Sequence, residues 1–210
     1  MNLVHGADPM SPRKNQRKMH SMSLHLNKTG LRALGIAESF VRSRTTSILA
    51  GVVMRADLCV DGLAYAHATV GGDDGTQAVL SLCRQLSRAD VNALILSGAA
   101  ISWFNIVDLQ EVFEKTEKPL ICLTYEDSPG LEKHIREHFH SPEEKLRRYR
   151  ALGVRHPVRL KTGHEVFVRA RGASTEEARI LLNKFTRDGR VPEPVRLAGL
   201  AARAALRVSL

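Results

Sequence analysis

Apolar positions along the chain alternate between short continuous runs and helical spacing, and the switches between the two mark its elements. An apolar run from Leu31 to Ile36 passes into Ala37-Glu38-Ser39-Phe40, the pattern of a short buried strand with a carboxylate at its end. Ser47 to Arg55 reads as a second strand, and the Ala56-Asp57 turn leads to a third over Leu63 to Val70, where Leu63, Tyr65, His67 and Thr69 alternate. Gly71-Gly72-Asp73-Asp74-Gly75-Thr76 ends that strand and opens a helix whose Val79, Leu80, Cys83 and Leu86 keep helical spacing. Val91 to Leu96 is a fourth strand closed by Ser97-Gly98. A helix is expected over Asn105 to Glu117, stopped before Pro119 because proline restrains its predecessor to extended geometry. Leu120 to Tyr125 is the fifth strand.

Beyond Glu126 the pattern predicts helices over Leu131 to Phe139 and Pro142 to Leu152, the second closed by Gly153. A strand pair, His156 to Lys161 and Glu165 to Ala170, flanks Thr162-Gly163. Ser174 and Glu177 form a capping box that opens a helix through Phe185, and Pro194 starts a final Ala-rich helix. Residues 1–22 mix Pro, Ser, Asn, Lys and Arg without periodicity, so they are expected to be a disordered extension, with Met19 or Met22 as alternative starts. The expected organisation is one domain over residues 23–210, a core of 24–130 followed by an appendage of 131–210.

Composition narrows the class. Hydrophobic residues at 43% and charged residues at 25% exclude a chain disordered or fibrous throughout. The apolar runs are too short to span a bilayer, and the N-terminus lacks the apolar stretch of a secretory signal, so a cytoplasmic protein is expected. Cys59, Cys83 and Cys122 all sit in apolar contexts, which suits buried reduced thiols. The net charge of +9 is unevenly spread: residues 1–32 and 133–210 are strongly basic, whereas residues 33–132 carry an excess of acids. Acids to hold cations, flanked by bases to hold phosphates, are what a metal-dependent enzyme acting on a polyanion needs. In the basic segment Arg147, Arg148, Arg150, Arg155, Arg169 and Arg171 are candidates to line a phosphate groove, although solvated basic faces are common.

Candidate chemistry lies in four groups, each with a structural rival. Glu38 would project from the end of the first strand into a shared cleft, or simply be exposed. Asp73 and Asp74 stand at a helix start, where N-capping accounts for one aspartate but not two. Ser97-Gly98 follows a strand at the end of a sheet where ligands gather, or is only a turn. In the segment Ser102 to Asp108, Trp103 and Phe104 could stack on bases, with Asn105 and Asp108 beside them, yet a lone Trp is more often core. His134-Ile135-Arg136-Glu137-His138 also spells an inverted zinc-peptidase pattern, with Glu165, Glu176 or Glu177 as third ligand, but five letters on a short polar helix make a weak signal.

The element order, two antiparallel joins followed by strand-helix alternation, is that of a ribonuclease H-like core. The segments GIAESF, AGVVMRADLCVDG, TVGGDD, ILSGAAISWFNIVDL, ICLTYEDS and PEPVRLAGLAARAAL, in this order, resemble the archaeal endonuclease-V-like family known as endonuclease dU, from about Leu24 to Leu206. The resemblance implies an α/β ribonuclease H-like mixed sheet flanked by helices, and Mg²⁺- or Mn²⁺-dependent cleavage of DNA containing deoxyuridine, without a small-molecule cofactor or a membrane partner. It places the catalytic acids at Glu38 and at Asp73 or Asp74, with Asp108 as a supplement, and a metal between Glu38, Asp74 and position 97. Relatives carry Asp at that last position and a second acid beside the first-strand glutamate; this chain has Ser97 and Ala37. Both departures weaken a two-metal site, because a hydroxyl is a poorer Mg²⁺ ligand than a carboxylate. The alternative is a nucleic-acid-binding protein of the same fold without catalysis.

Overall fold

The computed structural model describes Leu24, residues 26–28 and residues 30–208; the expected extension over residues 1–22 lies outside the described residues. The elements follow in the order β1 (Arg32–Ser39), β2 (Thr46–Arg55), β3 (Val60–Thr69), α1 (Gly75–Leu86), β4 (Ala93–Ser97), β5 (Ala100–Ile101), β6 (Asn105–Ile106), α2 (Leu109–Thr116) and β7 (Leu120–Thr124). Next come α3 (Glu132–His138), α4 (Glu143–Ala151), β8 (His156–Arg159), β9 (Glu165–Arg171), α5 (Thr175–Phe185) and α6 (Glu193–Val208). Seven strands share one sheet in the order β3-β2-β1-β4-β7-β9-β8, with β5 and β6 paired apart from it. The β1–β4 and β4–β7 contacts are parallel, and the remaining contacts of the large sheet are antiparallel. The five core strands expected from the sequence are therefore neighbours in one mixed sheet.

Both faces of the sheet are covered, which explains why β2 is a continuous apolar run rather than an alternating one. Ala33, Ala37, Ala50 and Val52 face α6, with Val195, Ala198 and Ala202 across from them. Leu34, Ile36, Leu49 and Val53 face the opposite side, against α1 and its Val79 and Leu82. Gly35 lets α6 come down onto β1: a Cβ there would lie 2.3 Å from the carbonyl carbon of Pro194. The Ser174–Glu177 capping box is formed as expected.

Four sequence expectations need correction. Residues 131–210 are not an appendage to the sheet, because β9 pairs with β7 and α6 covers β1 and β2. The alternation in β3 faces the other way, for Ala66 and Ala68 are buried whereas Leu63, Tyr65 and His67 are exposed. The crowded contact with α1 admits only small side chains there. The second helix begins at Leu109, not Asn105; Asp108 is its N-cap, accepting from the backbone N–H of Gln110 and Glu111. Of the three cysteines only Cys122 is fully buried, its thiol pushed up to about 12 by burial, and Cys59 is exposed. Among the described residues no helix is long and apolar enough to cross a membrane.

Candidate functional site

The parallel strands β1, β4 and β7 end on the same side of the sheet, and their ends carry the residues of interest. Glu38 lies at the end of β1, paired in register with Leu49. Its Oε2 is buried and has no hydrogen-bond partner among the described residues. Burial pushes its carboxyl above the ordinary value of 4.5, and the backbone N–H of Ser102 works in the opposite direction by favouring the charged form. A carboxylate oxygen held out of water with nothing to bond is costly, so it marks a place where the sequence serves something other than stability.

The β5–β6 hairpin links Glu38 to Asp74. Its loop, Ser102-Trp103-Phe104, has three successive residues with φ of 45°, 57° and 63°. Left-handed backbone costs non-glycine residues about 1–2 kcal/mol each, and the surroundings hold the loop in place. The Ser102 hydroxyl is 2.5 Å from that of Ser47, and Gly71 N–H donates to Ser102 O at 2.7 Å. Asn105, three residues on, donates to Asp74 Oδ1 at 2.6 Å and to Thr69 O, while its own Oδ1 accepts from Gly75 N–H at 2.7 Å. It is thus Asn105, from another element, that satisfies the start of α1, and Asp74 makes no capping bond. Gly75 is required beside it, since a Cβ would stand 2.7 Å from Asn105 Oδ1. Asn105 is a positioning residue rather than a base contact.

Asp74 accepts from Thr69 N–H with both oxygens and from the Thr69 hydroxyl at 2.8 Å. Partial burial raises its pKa, but the Thr69 and Asn105 hydrogen bonds outweigh it and the net shift is downward. Asp73 points elsewhere. Its carboxylate meets Lys145 Nζ at 2.8 Å and Arg148 at 3.1 Å. Lys145 is almost fully buried, also donates to Gly72 O and Phe104 O, and lies over the Phe139 ring. Asp73 and Asp108 are therefore engaged in structure and do not reach Glu38's cavity.

Ser97 ends β4 one step beyond the Ile36–Leu96 pair, so its side chain shares the α6 face with Ala37, whereas Glu38, paired with Leu49 and reached by Ser102 N–H, turns its carboxylate to the opposite face. Ala37, Glu38, Ser97, Tyr125, Arg196 and Arg203 line a cavity of about 290 Å³ that does not include Asp74. A second cavity of about 420 Å³ shares Ser97 and Tyr125, and adds Gly98, Arg155, Arg169 and Arg190. Tyr125 Oη is buried beside Ser97 without a well-formed hydrogen bond, and burial raises its pKa to about 12. Among the described residues two buried oxygens at these strand ends thus lack a partner, Tyr125 Oη on the α6 face of the sheet and Glu38 Oε2 on the other.

The proposed phosphate row is mostly occupied. Arg169 is only 8% exposed and donates to Gly153 O; Arg171 donates to Leu152 O, so both close the end of α4. Arg148 is held by Asp73 and Ile106 O, Arg150 by Glu132, and Arg147 is exposed with Glu144 as its partner. Trp103 is half-buried among Phe104, His138 and Phe139, with Arg42 over its ring and its Nε1 buried and unpartnered. His138 belongs to that cluster, His134 pairs loosely with Glu137, and Glu177 serves its cap. Among the described residues no three His, Cys, Asp or Glu side chains form a metal cage, which removes the zinc-peptidase reading. Mg²⁺ characteristically takes one or two carboxylates and completes its shell with substrate phosphate and water. Glu38 Oε2 supplies one carboxylate oxygen of that kind, and the Ser97 hydroxyl stands on the other face of the sheet. Asp74, with both oxygens engaged, does not add a second.

Three comparisons bear on what this arrangement is. A UPF0215 protein of Pyrobaculum aerophilum is 35% identical over 173 residues, 82% of this chain and 92% of its own. A solved protein of unknown function from Archaeoglobus fulgidus is 25% identical, covering 83% of this chain and 98% of its own with a TM-score of 0.72. Human ENDOV is 18% identical, covering 86% of each chain with a TM-score of 0.60, which shows the ribonuclease H-like fold of endonuclease V. The family model described as endonuclease dU matches residues 29–206. The chain belongs to the endonuclease dU family.

Proposed function

We propose that this chain is a divalent-metal-dependent endonuclease acting on DNA, with deoxyuridine-containing DNA as its substrate class. The observation that carries the reading is Glu38 Oε2, a buried carboxylate oxygen at the end of β1 that has no partner among the described residues. The family description supports it, and so does the likeness in fold to endonuclease V from Ciona intestinalis, solved with DNA containing an inosine. Uracil and the base of inosine are both products of deamination, so one pocket chemistry would suit either.

Glu38 would hold Mg²⁺ or Mn²⁺, which when bound supplies positive charge at a phosphate oxygen. The residues of the chain do the remainder. Arg203 neutralises a backbone phosphate beside the cleavage point, while Arg196 is held by Glu193 at 2.7 Å. The adjoining cavity of about 420 Å³ takes an everted base. There Gly98, with φ of +81° and no atom within 4 Å of where a Cβ would stand, leaves the backbone open to the base edge. Trp103 and Phe104, on the strained loop above Ser102, stack against the strand from which the base is drawn.

A second reading, a DNA-binding protein without cleavage, is favoured by the engagement of both Asp74 oxygens and by Ser97 in place of a carboxylate. Labelled uracil-containing and undamaged DNA, incubated with the purified protein with and without Mn²⁺, distinguish the two. Nicking of the uracil strand that requires Mn²⁺ and is lost in Glu38→Gln supports the nuclease. Binding without nicking, weakening by about 0.9 in log K per log salt for each phosphate neutralised, supports the binder. Neither nicking nor salt-dependent binding would overturn both.

A further inference from the structure

The outer strand of the sheet is sealed at both ends and open in the middle. Among the described residues β3 has β2 on one side and no strand on the other. Val70 N–H donates to Thr45 O, so that pair is of the hydrogen-bonded kind, and the kinds alternate along an antiparallel ladder. Ala64, Ala66 and Ala68 therefore turn their backbone groups toward β2, and Leu63, Tyr65, His67 and Thr69 turn theirs outward. At one end the outward groups are closed: Thr69 N–H goes to Asp74, and Thr69 O accepts from Asn105. At the other end Arg88 donates to Asp61 O. Among the described residues nothing takes the outward N–H and C=O groups of Leu63, Tyr65 and His67.

The side chains add a second observation. A bulge at Val53/Met54 brings Val60 onto the same face as Leu63 and Tyr65, and these three are 56%, 50% and 38% exposed. From Gly62 to Thr69 the strand carries no charged residue and no proline, the usual devices that keep an exposed edge from pairing. On α6, Arg196, Gly199 and Arg203 face the Glu38 cavity. At 100° per residue Leu197, Ala201 and Ala204 then point toward the β2–β3 side, extending the apolar surface.

We propose that this edge is the interface of a two-fold dimer, in which β3 pairs antiparallel with β3 of a second copy about Tyr65. The open groups select that register. Tyr65 then faces the partner's Tyr65, and Leu63 faces the partner's His67, each pair exchanging both N–H···O bonds. One step further the ladder stops, because Asp61 and Thr69 are already engaged. A second copy is the occupant that matches an edge whose open stretch is centred on a single residue and closed symmetrically on either side. The dimer joins two seven-stranded sheets into one.

Sedimentation equilibrium of the full chain over a micromolar concentration series tests the mass. Twice the chain mass of 23.2 kDa is expected, falling to one chain in Tyr65→Lys, which sets two ammonium groups opposite each other. The register is tested by cross-linking in a Cys59→Ser background. Tyr65→Cys should form an intermolecular disulfide on mild oxidation, since directly paired Cα atoms lie about 5.5 Å apart. Leu63→Cys should do so only together with His67→Cys. A single-chain mass at all concentrations overturns the proposal, as does a dimer unaffected by Tyr65→Lys, or Leu63→Cys cross-linking alone as readily as Tyr65→Cys. Should Tyr65→Lys fail to fold, amide exchange in the wild-type chain decides. Leu63, Tyr65 and His67 amides that slow as concentration rises support the dimer, and amides independent of concentration overturn it.

Discussion

Removing the charge of Glu38 should make the protein more stable while abolishing cleavage. In Glu38→Gln the shape is kept, and one side-chain oxygen remains to accept from Ser102 N–H. What disappears is a negative charge whose second oxygen has no partner among the described residues. An unsatisfied buried polar group costs about 1–3 kcal/mol and a charged one more. Against this, the glutamate keeps some contact with solvent, and the Gln amide is itself left without an acceptor. A net gain of about 1–2 kcal/mol follows at neutral pH, and a chain of this size gains about 2–4 °C in Tm for each kcal/mol. The sign with pH is fixed by the direction of the shift. Because the folded carboxyl titrates above its ordinary 4.5, its protonated form is favoured in the native state. The native state is therefore penalised progressively as pH rises through the folded value, and below the ordinary value the penalty is absent. Thermal unfolding of both proteins at about pH 7.5 and about pH 4 should show the variant ahead at the first and level at the second. Mn²⁺ should raise the wild-type Tm and leave the variant unmoved. An equal gain at both pH values, or no gain at neutral pH, would refute the claim that Glu38 carries an uncompensated charge.

Other substitutions probe the scaffold around it. Lys145→Met removes the ammonium that joins Gly72 O, Asp73 and Phe104 O, and should cost about 2–3 kcal/mol in urea unfolding, because exposed Asp73 is not left stranded; a loss under about 0.5 kcal/mol contradicts the bracing role. Gly35→Ala drives a Cβ into the backbone at Pro194 and should cost about 1–3 kcal/mol; an unchanged Tm excludes the close approach of α6 to β1. Ser97→Asp adds a second carboxylate to the Glu38 cavity, lowering stability in chelator and recovering it with Mn²⁺. Stability indifferent to Mn²⁺ would show that a carboxylate at the end of β4 does not join Glu38 in holding a cation.

The inner strands β1, β2, β4 and β7 were readable in the sequence because each is an apolar run between polar turns, and burial on both faces leaves such runs unbroken, whereas β3 at the edge was readable from its alternation. Glu38 and Ser97 were readable as strand ends. What escaped is the hairpin that follows Ser97, since Ser102, Trp103 and Phe104 adopt left-handed backbone with no glycine to announce it. The start of α2 had a visible sign: Asp108 precedes Glu111 by three residues, an N-cap pattern stronger than the apolar spacing that suggested Asn105. The role of Asn105 had none, because its partners Thr69, Asp74 and Gly75 are brought to it only by the folded sheet. Arg169 and Arg171 looked like phosphate ligands for a similar reason, as charge in a sequence does not reveal a neighbouring helix end.

The descent of α6 onto β1 at Gly35 also shapes how the chain reaches its native state. β1 lies inside the sheet between β2 and β4, yet the helix covering it comes from far along the chain: Arg44, just after β1, donates to Leu206 O across 162 positions. Contacts of such long separation are slow to form, because a large loop must close before any packing is gained. During synthesis β1, β2 and β3 can pair early, leaving Ala33, Ala37, Ala50 and Val52 uncovered until α6 has emerged. The nascent protein therefore passes through a stage in which an apolar sheet face is open to other chains. A shortened chain lacking α6 would be held at that stage and is expected to aggregate rather than form a smaller nuclease.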